Sequence, residues 1–258
     1  MGKNALVTGA SSGIGKELAR YHASKGGDLL LVARREKELL AIKSELESEF
    51  GVKVHVCPAD LLDSSSPSKV YAFSKEVGFQ VDYLINNAGF GGHGKFHERD
   101  IQQELNMVQV NISSLIALTH IFLKPMVERN SGKILNVAST AGFVPGPLQA
   151  VYYATKAFVL SFSQAIAKEL DDKNIDVTAL CPGAVHTGFV DVANLEGAEA
   201  FKKAATADSV AKCGYDAMIK GDLVKINDKS LDVLLNWVVP FLPRKTVLKM
   251  SQKAMEKS

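Results

Sequence analysis

Seven short aliphatic runs divide the chain, at residues 4–8, 29–33, 53–58, 81–85, 133–137, 177–180 and 223–226. No gap between them is shorter than 19 residues, and helical spacing of apolar side chains occupies residues 15–25, 36–50 and 151–169. Parallel strands need a crossover of a dozen residues or more, usually a helix, whereas hairpins need only a few. The pattern therefore predicts an α/β fold, a single-domain Rossmann-type doubly wound parallel sheet of about seven strands over residues 1–258. A chain of 258 residues, 47% of them hydrophobic, can bury one such core and is short for two.

Open parallel sheets bind ligands beyond the carboxyl ends of their strands, so chemistry is expected just after each run. The first run is followed by Thr8-Gly9-Ala10-Ser11-Ser12-Gly13-Ile14-Gly15 and then by a helical pattern. Glycines at such a turn let backbone amides approach a pyrophosphate at the positive end of a helix, and let that helix pack closely on the strand. A purely structural turn explains two glycines but not this strand, loop and helix in sequence. Gly9, Ser11, Ser12, Gly13, Ile14 and Gly15 are thus candidate dinucleotide contacts.

The second run ends Val32-Ala33-Arg34-Arg35, about 20 residues beyond the loop, where a dinucleotide fold reads the adenosine ribose. An acid there would accept the 2′-hydroxyl of NAD. Ala33 repels nothing and Arg34 can pair with a 2′-phosphate, so NADP(H) is the expected cofactor. The competing reading is a solvated basic pair opening a helix, although helix starts prefer acids. Asp60 and Leu61 follow the third run, and Asn87, Ala88 and Gly89 the fourth. Each could be a cap or a turn by itself, but in register with the glycine loop they can line an adenine and ribose cleft.

Ser139 closes the fifth run, and thirteen residues later Tyr152 and Lys156 stand one helical turn apart in Val151-Tyr152-Tyr153-Ala154-Thr155-Lys156. A phenol, an ammonium on the same helix face and a nearby hydroxyl are the parts needed to protonate a carbonyl oxygen while a hydride reaches its carbon. Together with Val32-Ala33-Arg34-Arg35 and Asn86-Asn87-Ala88-Gly89-Phe90-Gly91, these strings closely resemble the classical short-chain dehydrogenase/reductase family. The resemblance covers roughly the first 190 residues and is strongest to small bacterial NADP-dependent reductases.

The resemblance implies an NADP-dependent oxidoreductase that interconverts a ketone or aldehyde and an alcohol. Tyr152 is then the general acid in reduction and the general base in oxidation, and Tyr153 is set aside because Lys156 lies three residues from it rather than four. An ordinary phenol titrates near 10, and bringing it near 7 takes about 4 kcal/mol, part of which the Lys156 ammonium is expected to supply. The resemblance also assigns Lys156 to the nicotinamide ribose, Ser139 to the substrate oxygen, and Asn111 to a helix kink that keeps a water between Lys156 and solvent. Pro182, Gly183, Val185 and Thr187 resemble the loop that holds the nicotinamide carboxamide. A homodimer or homotetramer is implied as well.

Substrate choice is expected from the walls. Phe143, Val144, Pro145 and Leu148 suggest an apolar wall for a small-molecule carbonyl substrate, the glycine-rich loop after Gly89 could admit a bulky one, and residues 189–207 read as a mobile lid. A 3-oxoacyl or steroid-like substrate would change only these walls. From another class, an NADP-sensing regulator without turnover would have no need of a proton donor.

Thirty basic against 28 acidic side chains give a formal charge of +2, which predicts no nucleic-acid partner. Cys57, Cys181 and Cys213 form no Cys-x-x-Cys pair, and His93, His97 and His186 have no ligand spacing with acids or thiols, so core cysteines and no metal are expected. The first run begins too early for a signal peptide, and Leu6 stands where a myristoylation motif wants Ser or Thr, which predicts a cytoplasmic protein.

From residue 225 onward, seven basic and three acidic side chains surround the apolar run 231–242. That run, broken by Pro240, is shorter than the roughly 20 residues needed to span a bilayer, so no transmembrane segment is expected. Two readings stay open for the tail. One is peripheral contact with a membrane, or a roof over a lipophilic site; the other is a helix packed on its own domain or a second subunit, with its lysines reaching water.

Overall fold

β1 (Ala5–Thr8) and β2 (Leu29–Ala33) are buried along their whole length, because helices cover both faces of the sheet they belong to. The computed structural model describes residues 3–201 and 204–256. The sheet continues with β3 (Val54–Pro58), β4 (Tyr83–Asn86), β5 (Gly132–Val137) and β6 (Ile175–Cys181). A separate two-stranded pair, β7 (Val185–His186) and β8 (Ala205–Thr206), precedes the last sheet strand, β9 (Val224–Ile226). All seven strands of the main sheet pair in parallel, in the order β3-β2-β1-β4-β5-β6-β9. This is the Rossmann-type sheet expected from the seven runs, with strand ends shifted by a residue or two.

Alternation of side chains along each strand divides the core in two. Ala5, Val7, Leu29 and Leu31 point to one face, where α1 (Gly13–Ala23) and α2 (Glu36–Phe50) pack through Leu18 and Leu39. Leu6, Leu30 and Val32 point to the other, where α3 (Ser66–Glu76) contributes Val70. On that face a continuous helix runs from α4 (Ile101–Val108) through a π turn (Gln109–Ser114) into α5 (Leu115–Glu128). It is 28 residues long and contains an 18-residue stretch of mean hydropathy 1.4, enough by length and composition to cross a membrane. Leu118, Phe122 and Met126 are nevertheless buried against the sheet, as befits a core helix.

α6 (Ala150–Glu169) carries Tyr152 and Lys156 and packs beside β6 and the π turn. After it come α7 (Phe189–Val192) and α8 (Ala207–Lys220), the latter completing the first face through Val210 and Met218. The tail forms α9 (Lys229–Val233), a π turn (Leu234–Val238), a 3-10 turn (Val239–Phe241) and α10 (Arg244–Met255). Val247, Ser251 and Met255 are buried; the Ser251 hydroxyl donates to the Pro145 carbonyl at 2.6 Å. The end helix thus packs on its own chain, as one of the two readings of the tail expected.

His22 of α1 is 1% exposed and sits among Tyr83 and Tyr215. Its neutral Nε2–H tautomer can donate to the Lys3 carbonyl at 2.8 Å while Nδ1 accepts from the Tyr215 hydroxyl at 2.9 Å. Burial lowers its pKa below the ordinary value of 6.5. The unfolded chain therefore takes up this proton first, and stability falls as pH drops below about 6.5, by at most about 1.4 kcal/mol per pH unit. Denaturant midpoints of the native chain and His22→Gln between about pH 7.5 and pH 5.5 test this. The native chain should lose more on acidification, and equal losses would contradict the assignment.

Candidate active site

The strand order turns back between β1 and β4, and the crevice there is tied by one hydroxyl. Thr8 Oγ1 accepts from the backbone N–H groups of Asn87 and Ala88, both at 3.0 Å, and the Asn87 amide donates back to the Thr8 carbonyl at 3.0 Å. Asn87 therefore crowds the glycine loop. A Cβ on Gly9 would come within 2.8 Å of the Asn87 amide nitrogen, and Gly9 has φ +65°, so no other residue fits there without strain. On Gly15 a Cβ would run into the Gly9 carbonyl and the same amide.

The helix that follows starts without a cap. Ser12 makes no capping hydrogen bond and the first turn of α1 holds no acid, which leaves backbone donors facing the crevice. A pyrophosphate suits such a start. A cleft of about 550 Å³ extends from this loop across the sheet edge. Gly9, Ser11, Ser12, Gly13, Ile14, Arg34, Asp60, Leu61, Asn87, Ala88, Gly89, Pro182, Gly183, Val185 and Thr187 all line it, together with Ser139, Tyr152 and Lys156. Gly15 and Asn111 do not. Gly15 lies beneath the loop, where its lack of a side chain lets helix and strand approach.

Asn111 is 1% exposed in the π turn, behind the cleft wall. Its Oδ1 accepts from the Phe90 N–H at 3.1 Å, and its Nδ2 donates to the Phe90 carbonyl at 3.0 Å and to Thr155 Oγ1 at 3.1 Å. The side chain thus pins the loop after β4 to α6. It is a positioning residue in this arrangement, not one that faces a substrate.

Ser139 lies two residues beyond β5 in extended backbone, accepts from the Ala141 N–H at 3.1 Å and donates to the Pro182 carbonyl at 3.4 Å. Pro182 is also bound by Thr140, and the Gly183 N–H donates to Asn227 Oδ1 at 3.0 Å, so the loop after β6 is held from both sides. Tyr152 packs its ring on Phe189, with centroids 5.4 Å apart. Burial raises its pKa well above the ordinary 10, and a hydrogen bond with Ser139 offsets only part of this. Tyr153, also buried, is pushed up to about 12 by burial alone.

Lys156 differs from expectation. Its Nζ donates to the Val137 carbonyl at 2.8 Å and lies 5.8 Å from the centre of the Tyr152 ring, and burial lowers its pKa to about 8. For Tyr152, burial outweighs any pull from the ammonium. Desolvation, acting on both groups, favours the neutral form of each.

Two features escaped sequence reasoning. Arg35, not only Arg34, reaches the cofactor end of the cleft: its guanidinium donates to Ser11 Oγ at 2.9 Å and to Ser12 Oγ at 2.8 Å. The adjacent positions were there to compare, since neighbouring side chains leave a strand end in opposite directions. The second is the apolar roof. Phe189, Val192, Leu195 and Phe201 line the cleft from the expected lid, and Met255 joins them from the chain's far end. Of the lid, residues 202 and 203 lie outside the described residues.

A glycine cradle at the reversal of a doubly wound parallel sheet, opening into one long cleft, defines the class of nucleotide-binding α/β proteins. The family model for short chain dehydrogenases matches residues 3–196, and the chain belongs to that family of oxidoreductases. It is 30% identical over 202 residues to a 3-oxoacyl-[acyl-carrier-protein] reductase of Aquifex aeolicus, covering 78% of this chain and 82% of the relative. A very-long-chain 3-oxoacyl-CoA reductase of Macaca fascicularis is 29% identical over 255 residues, covering 97% and 79%. A short-chain dehydrogenase of Sphingobium yanoikuyae, solved in complex with NADPH, superposes with a TM-score of 0.82 at 30% identity, over 94% of this chain and 97% of that one.

Placing two guanidinium groups at the end of β2 has a measurable consequence. Arg34→Ala and Arg35→Ala should each weaken NADPH binding about tenfold or more while changing NADH binding little, since each charged contact to phosphate contributes roughly 1.5–3 kcal/mol. Titration of both nucleotides by fluorescence checks this, and equal losses for NADPH and NADH would contradict a role at the 2′-phosphate.

Proposed function

We propose that this chain reduces an apolar ketone or aldehyde to an alcohol in the cytoplasm, with NADP(H) as cofactor and Tyr152 as proton donor. The observation that carries this reading is the convergence of Ser139, Tyr152 and Lys156 on one cleft with the glycine cradle and Arg34. The cradle and the uncapped start of α1 fit a dinucleotide pyrophosphate, and Asp60, Leu61, Asn87, Ala88 and Gly89 would flank its adenosine half. When bound, the nicotinamide supplies the hydride.

The chain's own residues do the rest. Tyr152 is protonated at neutral pH in the buried cleft and would pass that proton to the carbonyl oxygen in reduction. Ser139 would donate a hydrogen bond to the same oxygen as charge develops on it. Lys156, fixed by Val137, would hold ribose hydroxyls, and Asn111 keeps α6 and the loop after β4 in register. Pro182, Gly183, Val185 and Thr187 would seat the carboxamide. Phe189, Leu195 and Met255 exclude water and favour an apolar substrate. The apolar side chains Ile101, Leu105 and Ile116, exposed along the helix at 101–128, are available for a homodimer or homotetramer.

A 3-oxoacyl thioester is the second substrate reading, favoured by the activities named for the two relatives in Aquifex and Macaca. An NADPH-oxidation screen over ketones, aldehydes, diketones and 3-oxoacyl thioesters separates the two. Tight NADPH binding with no oxidation across the whole panel would instead favour a nucleotide sensor.

The lowered pKa of Lys156 adds a pH prediction. The ammonium is charged below about 8 and neutral above it, so kcat/KM for reduction should be flat near neutrality and fall as pH rises through about 8. A profile still flat at about pH 9.5 would show that the Lys156 charge is not required.

A further inference from the structure

The tail is apolar on two opposite sides. Leu231, Leu235 and Val239 recur every fourth residue and pack into a core with Cys181 and Ile226. Two positions along, Val233, Trp237 and Phe241 also recur every fourth residue and face outward. They are 56%, 73% and 82% exposed, and Trp237 is the only tryptophan in the chain. Trp237 and Phe241 are the most exposed large apolar side chains on the described surface. A helix apolar all round is normally buried, so this outer stripe calls for a partner.

The charge beside the stripe says which. Arg244, Lys245, Lys249 and Lys253 follow it on α10, all exposed, with no acidic residue between them. None of the four makes an ion pair among the described residues, although pairs are frequent elsewhere on the surface. α10 also exposes Leu248 and Met250 among these cations, while Val247, Ser251 and Met255 form its inner side. Exposed Trp and Phe flanked by unpaired Lys and Arg match the interface of an anionic bilayer, where aromatic rings lie at headgroup depth and cations meet phosphate. A second copy of this chain would bring the same positive charge to the face. The apolar strip on the helix at 101–128 lacks such a basic flank and suits a second copy better.

We propose that residues 229–256 dock this protein peripherally on an anionic lipid surface, with Trp237 and Phe241 entering the headgroup layer. The same segment bounds the cleft, because Leu231 packs close to Gly183 and Met255 forms part of the roof. Docking therefore sets the cleft-bounding elements beside the lipid, from which an apolar substrate can partition. That last step rests on the carbonyl-reductase reading; the docking itself does not.

Trp237 reports the event directly. Emission of the full chain should shift to the blue on adding phosphatidylglycerol–phosphatidylcholine vesicles and be quenched by brominated lipid. Partitioning should be at least about tenfold stronger than into phosphatidylcholine alone, and reversed by high salt. Arg244→Glu with Lys245→Glu should abolish the shift while NADPH binding and the melting temperature hold, as both side chains are exposed. Emission unchanged by either vesicle would overturn the proposal. So would a blue shift that follows protein concentration without lipid, together with a change in oligomeric state in Phe241→Ser, since the stripe would then belong to a second copy. None of these readouts uses turnover, so a failed activity screen leaves them intact.

Discussion

The Thr8 hydroxyl holds the ends of β1 and β4 at the reversal of the sheet, and the site is built outward from that contact. Because it accepts from both Asn87 and Ala88, the Asn87 amide is fixed against the glycine loop. The loop must then be glycine where it passes, and the helix behind it starts without a cap. On the other side, the loop after β4 is pinned by Asn111, which is in turn bonded to Thr155 on the helix of Tyr152 and Lys156. A chain of side-chain hydrogen bonds thus joins the glycine-loop end of the cleft to the helix that carries Tyr152 and Lys156.

Beneath this edge the sheet is tied by buried amides. Asn86 and Asn136 face each other on adjacent strands, with the Asn86 amide donating to Asn136 Oδ1 at 2.9 Å and to Thr119 of α5 at 3.0 Å. Asn136 donates on to Ser163 of α6 at 2.9 Å. Polar groups so deep in a core need directional partners, which makes them restrictive about helix placement. They help to set α6 on the sheet, and with it the position of Tyr152.

Much of this was legible in the sequence because it follows from local rules. Aliphatic runs with helix-length gaps dictate a parallel sheet, and a glycine loop at the first strand end has few other uses. Asn111 was legible as a residue but not as a geometry, since helical periodicity does not reveal a π turn whose amide is saturated by Phe90 and Thr155. Spacing gives a common helix face for Tyr152 and Lys156, not a distance; the ammonium is bonded to Val137, and burial dominates the Tyr152 pKa. Arg35 was passed over for its neighbour because strand-end directions depend on the final backbone. Met255 in the roof is a contact across most of the chain length, and no local pattern announces it.

Tyr152, buried beside Ser139, is the proposed proton donor of a cleft whose other residues would hold the nucleotide. Replacing it by phenylalanine removes one oxygen from a ring whose packing on Phe189 is unchanged. Measured side by side on Tyr152→Phe, NADPH affinity should stay within about threefold of the native value, while turnover on whichever carbonyl the native enzyme reduces should fall about a thousandfold. A variant that binds NADPH normally and keeps a tenth or more of the native turnover would contradict the assignment.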